Sequence, residues 1–147
     1  MTRAYPPIAE LVPHRPPMLL LDRVLSYDGE TVICETVLAP GSLFVDGGEV
    51  PAVVAIEYMA QTIAAGAGLL ARDKGEGARM GFLLGCRDLT IAVDSFQVGD
   101  WLTIDARRTW GGDELVSFAC KVQRGSEVLV EGALTVYQGP LPEDMIR

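Results

Sequence analysis

Apolar residues recur with two different periods along this chain, and the change of period divides it. From Trp101 to Trp110, Leu102, Ile104 and Ala106 alternate with Thr103, Asp105 and Arg107. Further on, Val116, Phe118, Cys120 and Val122 alternate with Ser117, Ala119, Lys121 and Gln123. Period two on this scale predicts antiparallel strands with one face buried. Gly111-Gly112-Asp113 turns the chain between them, and Arg124-Gly125-Ser126 turns it again into a third strand, Val128 to Tyr137, with a bulge expected at Gly132. Gly81 to Val93 supplies one more strand ahead of these, and Val98-Gly99-Asp100 leads into Trp101. Nearer the start, Met18 to Val24 is an apolar run closed by charge and reads as a strand. Asp28-Gly29 is a hairpin-type turn, and the β-branched run Thr31 to Leu38 reads as the next strand. Ala39-Pro40-Gly41-Ser42 breaks it, and Asp46-Gly47-Gly48-Glu49 reads as a flexible loop. The prolines Pro6-Pro7 and Pro13, Pro16, Pro17 bracket Ile8 to Val12, which leaves room for a helical turn or two at most.

Pro51 to Arg72 follows a different rule. Pro51 suits a helix start, where its missing N–H costs nothing. Eight alanines and leucines between Ala55 and Ala71 are strong helix formers, and Lys74-Gly75 ends the segment. Its length would cross a bilayer. Glu57 and Gln61 interrupt it, however, and the uncharged stretch Tyr58 to Ala71 is too short for a span. A helix apolar almost all round is then a buried core helix, and no membrane span is expected. A sheet of five or six antiparallel strands can bury such a helix by wrapping around it, which is an α+β roll.

Composition narrows the function. The chain has 147 residues, which predicts one domain over 1–147. Hydrophobic residues make up 49% of it, too many for disorder. Twelve Lys and Arg stand against twenty Asp and Glu, a net charge of −8, which argues against nucleic-acid binding. Cys34, Cys86 and Cys120 are odd in number and far apart, and His14 is the one histidine. Zinc knuckles, disulfide scaffolds and sites needing two histidines are thereby excluded, and neither metal nor cofactor is expected. The cysteines read as small core residues. The first residues carry no apolar signal segment, so a cytoplasmic setting is expected.

Four residues could carry chemistry. Glu57 and Gln61 are four apart and share one helix face. A carboxylate on a core helix is costly unless it is paired or solvated. Glu57 therefore either forms a structural ion pair with an arginine or lines a pocket, where burial would suit it to general acid work. His14, held between prolines, either fixes its own segment by bonding backbone or acts chemically. Asp46 is either a solvated turn residue or an acid beside the helix start.

Leu11-Val12-Pro13-His14-Arg15-Pro16-Pro17-Met18-Leu19-Leu20-Leu21-Asp22-Arg23-Val24 resembles the opening of the hot-dog-fold 3-hydroxyacyl-acyl-carrier-protein dehydratases, L-P-H-R-x-P-x-L-L-V-D-R-V. Val50 to Gln61 resembles their helix motif, P-G-V-L-x-x-E-A-M-A-Q, without a gap between Pro51 and Glu57. The resemblance covers residues 8–138 and implies the same architecture, a sheet wrapped around one long central helix. It implies that Glu57 protonates the departing hydroxyl and that the substrate is an acyl thioester on acyl carrier protein or coenzyme A. It also implies that the helix start at Pro51, Ala52 and Val53 binds the substrate, the N–H of Ala52 or Val53 polarising the thioester carbonyl, with Gln61 beside it.

The chain departs from that pattern between Phe44 and Pro51, where the family's G-H-F-P loop is shortened and has no histidine. His14 matches the family's other, non-catalytic histidine. This resembles the dehydratase-like branch of aryl-polyene-type biosynthesis, in which such a subunit pairs with a second hot-dog protein. At least a homodimer is expected, with a heterodimer as the form that supplies the missing base and a homodimer that dehydrates poorly alone. Asp46 and His14 are the candidate bases within this chain. An acyl thioesterase using Glu57 or Asp46, and a non-catalytic acyl-binding partner, are the alternatives. An acidic carrier would need local cations, for which Arg72, Lys74, Arg79, Arg87, Arg107 and Arg108 are available.

Overall fold

A computed structural model describes residues 4–75, 81–112 and 114–138. The strands are β1 (Arg23–Tyr27), β2 (Thr31–Val37), β3 (Glu49–Pro51), β4 (Gly81–Ile91), β5 (Ser95–Gln97), β6 (Trp101–Gly111), β7 (Leu115–Arg124) and β8 (Glu127–Gln138). A 3-10 turn at Ala52–Val54 runs straight into the helix α1 (Ala55–Asp73). Six strands form one antiparallel sheet in the order β1-β2-β6-β7-β8-β4. β3 and β5 pair separately.

The alternation read from the sequence sets the faces. Leu102, Ile104 and Ala106 of β6 and Val116, Cys120 and Val122 of β7 are buried against α1. Tyr58, Met59, Ile63 and Leu69 of α1 fill the space between. The helix is long and apolar enough to cross a membrane, yet most of that stretch is enclosed by the protein's own sheet. Cys34 and Cys120 are core residues as expected, while Cys86 on β4 is only partly buried.

The two helix glycines are contact points. A Cβ on Gly68 would stand 2.2 Å from the Leu11 carbonyl oxygen, so only glycine lets the N-terminal segment lie on the helix. That segment holds one 3-10 turn, Ile8–Glu10, within the room its prolines leave.

Three expectations need correction. The run Met18–Val24 is not one strand, since β1 begins only at Arg23. The preceding residues form an irregular strap in which the Met18 carbonyl and the Leu20 N–H bond the Gln61 side chain on the helix, and the Asp22 N–H bonds the Glu35 carbonyl of β2. A bulge does fall at Gly132, but its extra residue is on the facing strand β4, and the irregularity of β8 itself lies at Leu129. Between Arg87 and Thr90 the β4 register slips opposite Gly132, where Asp88 takes φ 54° and Leu89 sits where a Gly132 side chain would be. The pair β3–β5 went unforeseen because each strand has only three residues, too few to show a period. Gly99 at φ 94° turns the chain into β6 as expected. Asp113 lies outside the described residues, as does Arg79.

Candidate active site

Gln61 is the centre of the polar cluster. Its side chain is fully buried and every bond it makes is internal. Its Nε2 donates to the Met18 carbonyl at 2.7 Å and to Glu57 Oε1 at 3.0 Å. Its Oε1 accepts from the Leu20 N–H at 2.9 Å. One glutamine therefore ties the strap to α1 and orients the Glu57 carboxylate. The expected place for Gln61 beside the substrate is replaced by this staple.

Among the described residues Glu57 meets no arginine. The His14 ring faces it, with Nε2 3.4 Å from Glu57 Oε1. The backbone bond expected for His14 is absent among the described residues, and its Nδ1 is buried without a partner. Arg15 accounts for the presentation of His14. Its guanidinium donates to the carbonyls of Ala9, Val12 and His14 at 3.0, 3.0 and 2.7 Å, locking the turn that aims the imidazole at the helix. The sequence reading missed this role, although an arginine flanked by His and Pro in an extended segment was its signal.

The pair borders a cleft of about 180 Å³ that follows α1 along Ala60, Ala64 and Ala67, with Phe82 and Leu83 of β4 on its far wall. Both side chains keep part of their surface open, 27% for His14 and 34% for Glu57. The site is therefore a polar pair at one end of a small-residue groove. An acid and a base side by side against apolar walls can remove one proton from a substrate and deliver another.

The remaining candidates lie elsewhere in the protomer. Asp46 is exposed in a tight loop, exchanging backbone bonds with Glu49 at 2.8 and 3.2 Å, and does not border the cleft. Pro51 pairs with Ser95 in the small sheet. The Ala52 N–H donates to the Asp94 carbonyl at 3.0 Å, so it is already engaged and cannot hold a substrate carbonyl. Val53 is 56% exposed, and its N–H lies in the first turn, where the helix provides no acceptor. Among the candidate cations, Arg72 is paired with Glu10 at 3.6 Å and Arg108 bonds the carbonyls of Gly111 and Gly112.

A curled antiparallel sheet around one helix, with a carboxylate presented from that helix into a groove, defines a hot-dog protein of the acyl-thioester type. The ApeP-like family, described as ApeP dehydratase, matches residues 6–147. The chain belongs to that family. It is 33% identical over 137 residues to the 3-hydroxyacyl-[acyl-carrier-protein] dehydratase FabZ of Agrobacterium fabrum, across 86% of this chain and 80% of that one. Among solved structures, the dehydratase heterocomplex ApeI:P from Xenorhabdus doucetiae superposes with a TM-score of 0.91 at 30% identity over 97% of both chains. A hypothetical thioesterase with coenzyme A from Streptococcus pneumoniae shares the fold alone, with a TM-score of 0.59 at 14% identity over 82% and 88% of the chains.

Proposed function

We propose that this protein dehydrates 3-hydroxyacyl thioesters, with His14 as base and Glu57 as acid. The observation that carries the reading is the His14–Glu57 pair at 3.4 Å, bordering the groove along α1. Elimination of water from a 3-hydroxyacyl thioester takes the proton from C2 and gives one to the hydroxyl leaving C3. Neutral His14 accepts the C2 proton at Nε2, the C2–C3 double bond forms, and protonated Glu57 gives its proton to the departing hydroxyl. The pair then holds imidazolium and carboxylate. Its proton count is unchanged, so transfer of one proton from Nε2 to Oε1 across their contact restores the starting state. This assignment moves His14 from the structural role that the family resemblance implied. No oxidant, metal or cofactor enters the balance.

The thioester carbonyl gains negative charge in the transition state, and the N–H of Val53, an exposed residue in the 3-10 turn ahead of α1, is the donor assigned to it. A second hot-dog subunit covers the groove and the free edge of the sheet at β4, whose Leu83 and Leu84 are 44% and 59% exposed. The heterocomplex of the Xenorhabdus relative supports such pairing. Acyl carrier protein is the proposed carrier and the cytoplasm the proposed location.

The test is turnover of 3-hydroxyacyl thioesters by the purified protein, alone and with a second hot-dog subunit, for wild type, Glu57→Gln and His14→Gln. Loss of dehydration in both folded variants supports the assignment. Unchanged turnover in His14→Gln would move the base to the partner subunit or to Asp46. Release of free thiol without loss of water would make the protein a thioesterase, and neither reaction would make it an acyl-binding subunit.

A further inference from the structure

Glu57, Ala60, Ala64 and Ala67 are spaced three or four apart and share one face of α1. All four are half-buried, whereas the residues between them are buried. The groove that starts at the His14–Glu57 pair therefore follows this line of the helix, with Phe82, Leu83 and Val136 opposite. The Phe82 ring is backed by that of Tyr137, 6.4 Å away.

A smaller cavity, of about 40 Å³, lies further along α1, between the helix and the β1–β2 hairpin. Val32, Ile63, Leu70 and Phe118 wall it, and it opens beside the exposed Glu30 and Arg108. Among the described residues, Ala67 and Gln138 alone line both cavities. Gln138 ends β8 in register with Gly81, the first residue of β4. Its N–H donates to the Glu114 carbonyl at 2.6 Å, and its side chain makes no hydrogen bond among the described residues. A methyl group and an amide thus mark the point where the groove meets the second cavity.

The helix converts that point into a length. Ten residues of α1 separate Glu57 from Ala67, a rise of about 15 Å. An extended chain advances about 1.2 Å per bond, so about twelve bonds beyond the hydroxyl-bearing carbon reach Ala67. A longer hydrocarbon has to pass the Gln138 amide, and covering an amide with hydrocarbon and no hydrogen-bond partner is unfavourable.

We propose that Ala67 and Gln138 determine the acyl-chain length this protein accepts, the Ala67 methyl leaving the groove open to that point and the Gln138 amide stopping it there. The proposal rests on the acyl-thioester reading of the groove. The probes are coenzyme A thioesters of 3-hydroxy acids with four, fourteen and eighteen carbons. Affinity is read by isothermal titration calorimetry and loss of water by turnover, for the protein alone and with a second hot-dog subunit. In the wild type the fourteen-carbon thioester should bind most tightly. Ala67→Leu should weaken it roughly tenfold, the lower figure for one misplaced methylene, and leave the four-carbon thioester unchanged. Gln138→Ala should tighten the eighteen-carbon thioester by about the same factor and leave the shorter two unchanged.

Gln138→Ala removes a side chain without a hydrogen bond among the described residues, so it decides the matter even where Ala67→Leu disturbs the helix. The affinities test the proposal whether or not water is lost, and binding in this order without turnover would count against the dehydratase reading alone. Equal wild-type affinity for fourteen and eighteen carbons, unchanged affinities in both variants, or no binding at any length would overturn the proposal.

Discussion

Replacing Gln61 with leucine makes the side chain apolar while keeping it similar in size and compatible with the helix, and removes three hydrogen bonds at once. The Leu20 N–H loses its acceptor at 2.9 Å and the Met18 carbonyl its donor at 2.7 Å. Glu57 loses its donor at 3.0 Å. An orphaned buried polar group costs about 1–3 kcal/mol, against about 1 kcal/mol for a hydrogen bond that water can replace. Leu20 is half-buried and Met18 is 39% exposed, so water reaches these backbone groups in part and the lower figures apply. Summed, Gln61→Leu should destabilise the fold by about 2–4 kcal/mol. Urea unfolding followed by tryptophan fluorescence measures this directly. The effect on turnover should exceed that on binding, because a carboxylate misplaced by an ångström can lose about a hundredfold in rate. A midpoint within experimental error of wild type would refute the reasoning, since the strap would then be held by contacts other than this staple.

Other outcomes follow from the same geometry. Gly68→Ala forces a methyl against the Leu11 carbonyl and should cost at least about 1–3 kcal/mol in urea unfolding, the range for overpacking. Burial pushes the Cys34 and Cys120 thiols up to about 12, so in the folded protein only Cys86 should react promptly with Ellman's reagent near pH 8. The unfolded chain releases those thiol protons above about pH 9 while the native state keeps them, so stability should fall as pH rises from 9 towards 12, as alkaline unfolding would show. The exposed edge at β4 predicts at least a dimer by light scattering, and Leu84→Lys on that strand should shift the protein towards monomer.

Much of this architecture could be read before any coordinates. Alternation placed Leu102, Ile104, Ala106, Val116, Phe118, Cys120 and Val122 on one sheet face, because successive side chains of a strand point to opposite sides and only one side had a helix to cover. The largely apolar run from Ala55 to Ala71 marked the element such a sheet could enclose. Glu57 stood out because a carboxylate on that helix required a reason. These signals are local, with a period or a spacing contained in a few residues.

What the sequence left open depended on distant segments meeting. Nothing in Met18-Leu19-Leu20 says that its backbone bonds to Gln61 on the helix, so an apolar run that looks like a strand becomes a strap. Nothing near His14 says which group its ring faces, and only the packing of the strap on α1 brings Nε2 to 3.4 Å from Glu57. Ala52 qualified as a carbonyl donor by its position at the helix start, and lost that role because the Asp94 carbonyl occupies its N–H. Asp46 was near the helix in sequence and lies outside the cleft in space. Spacing along a chain constrains neighbours within an element, whereas a site is a coincidence of elements, and closing the loops between them is decided by tertiary packing.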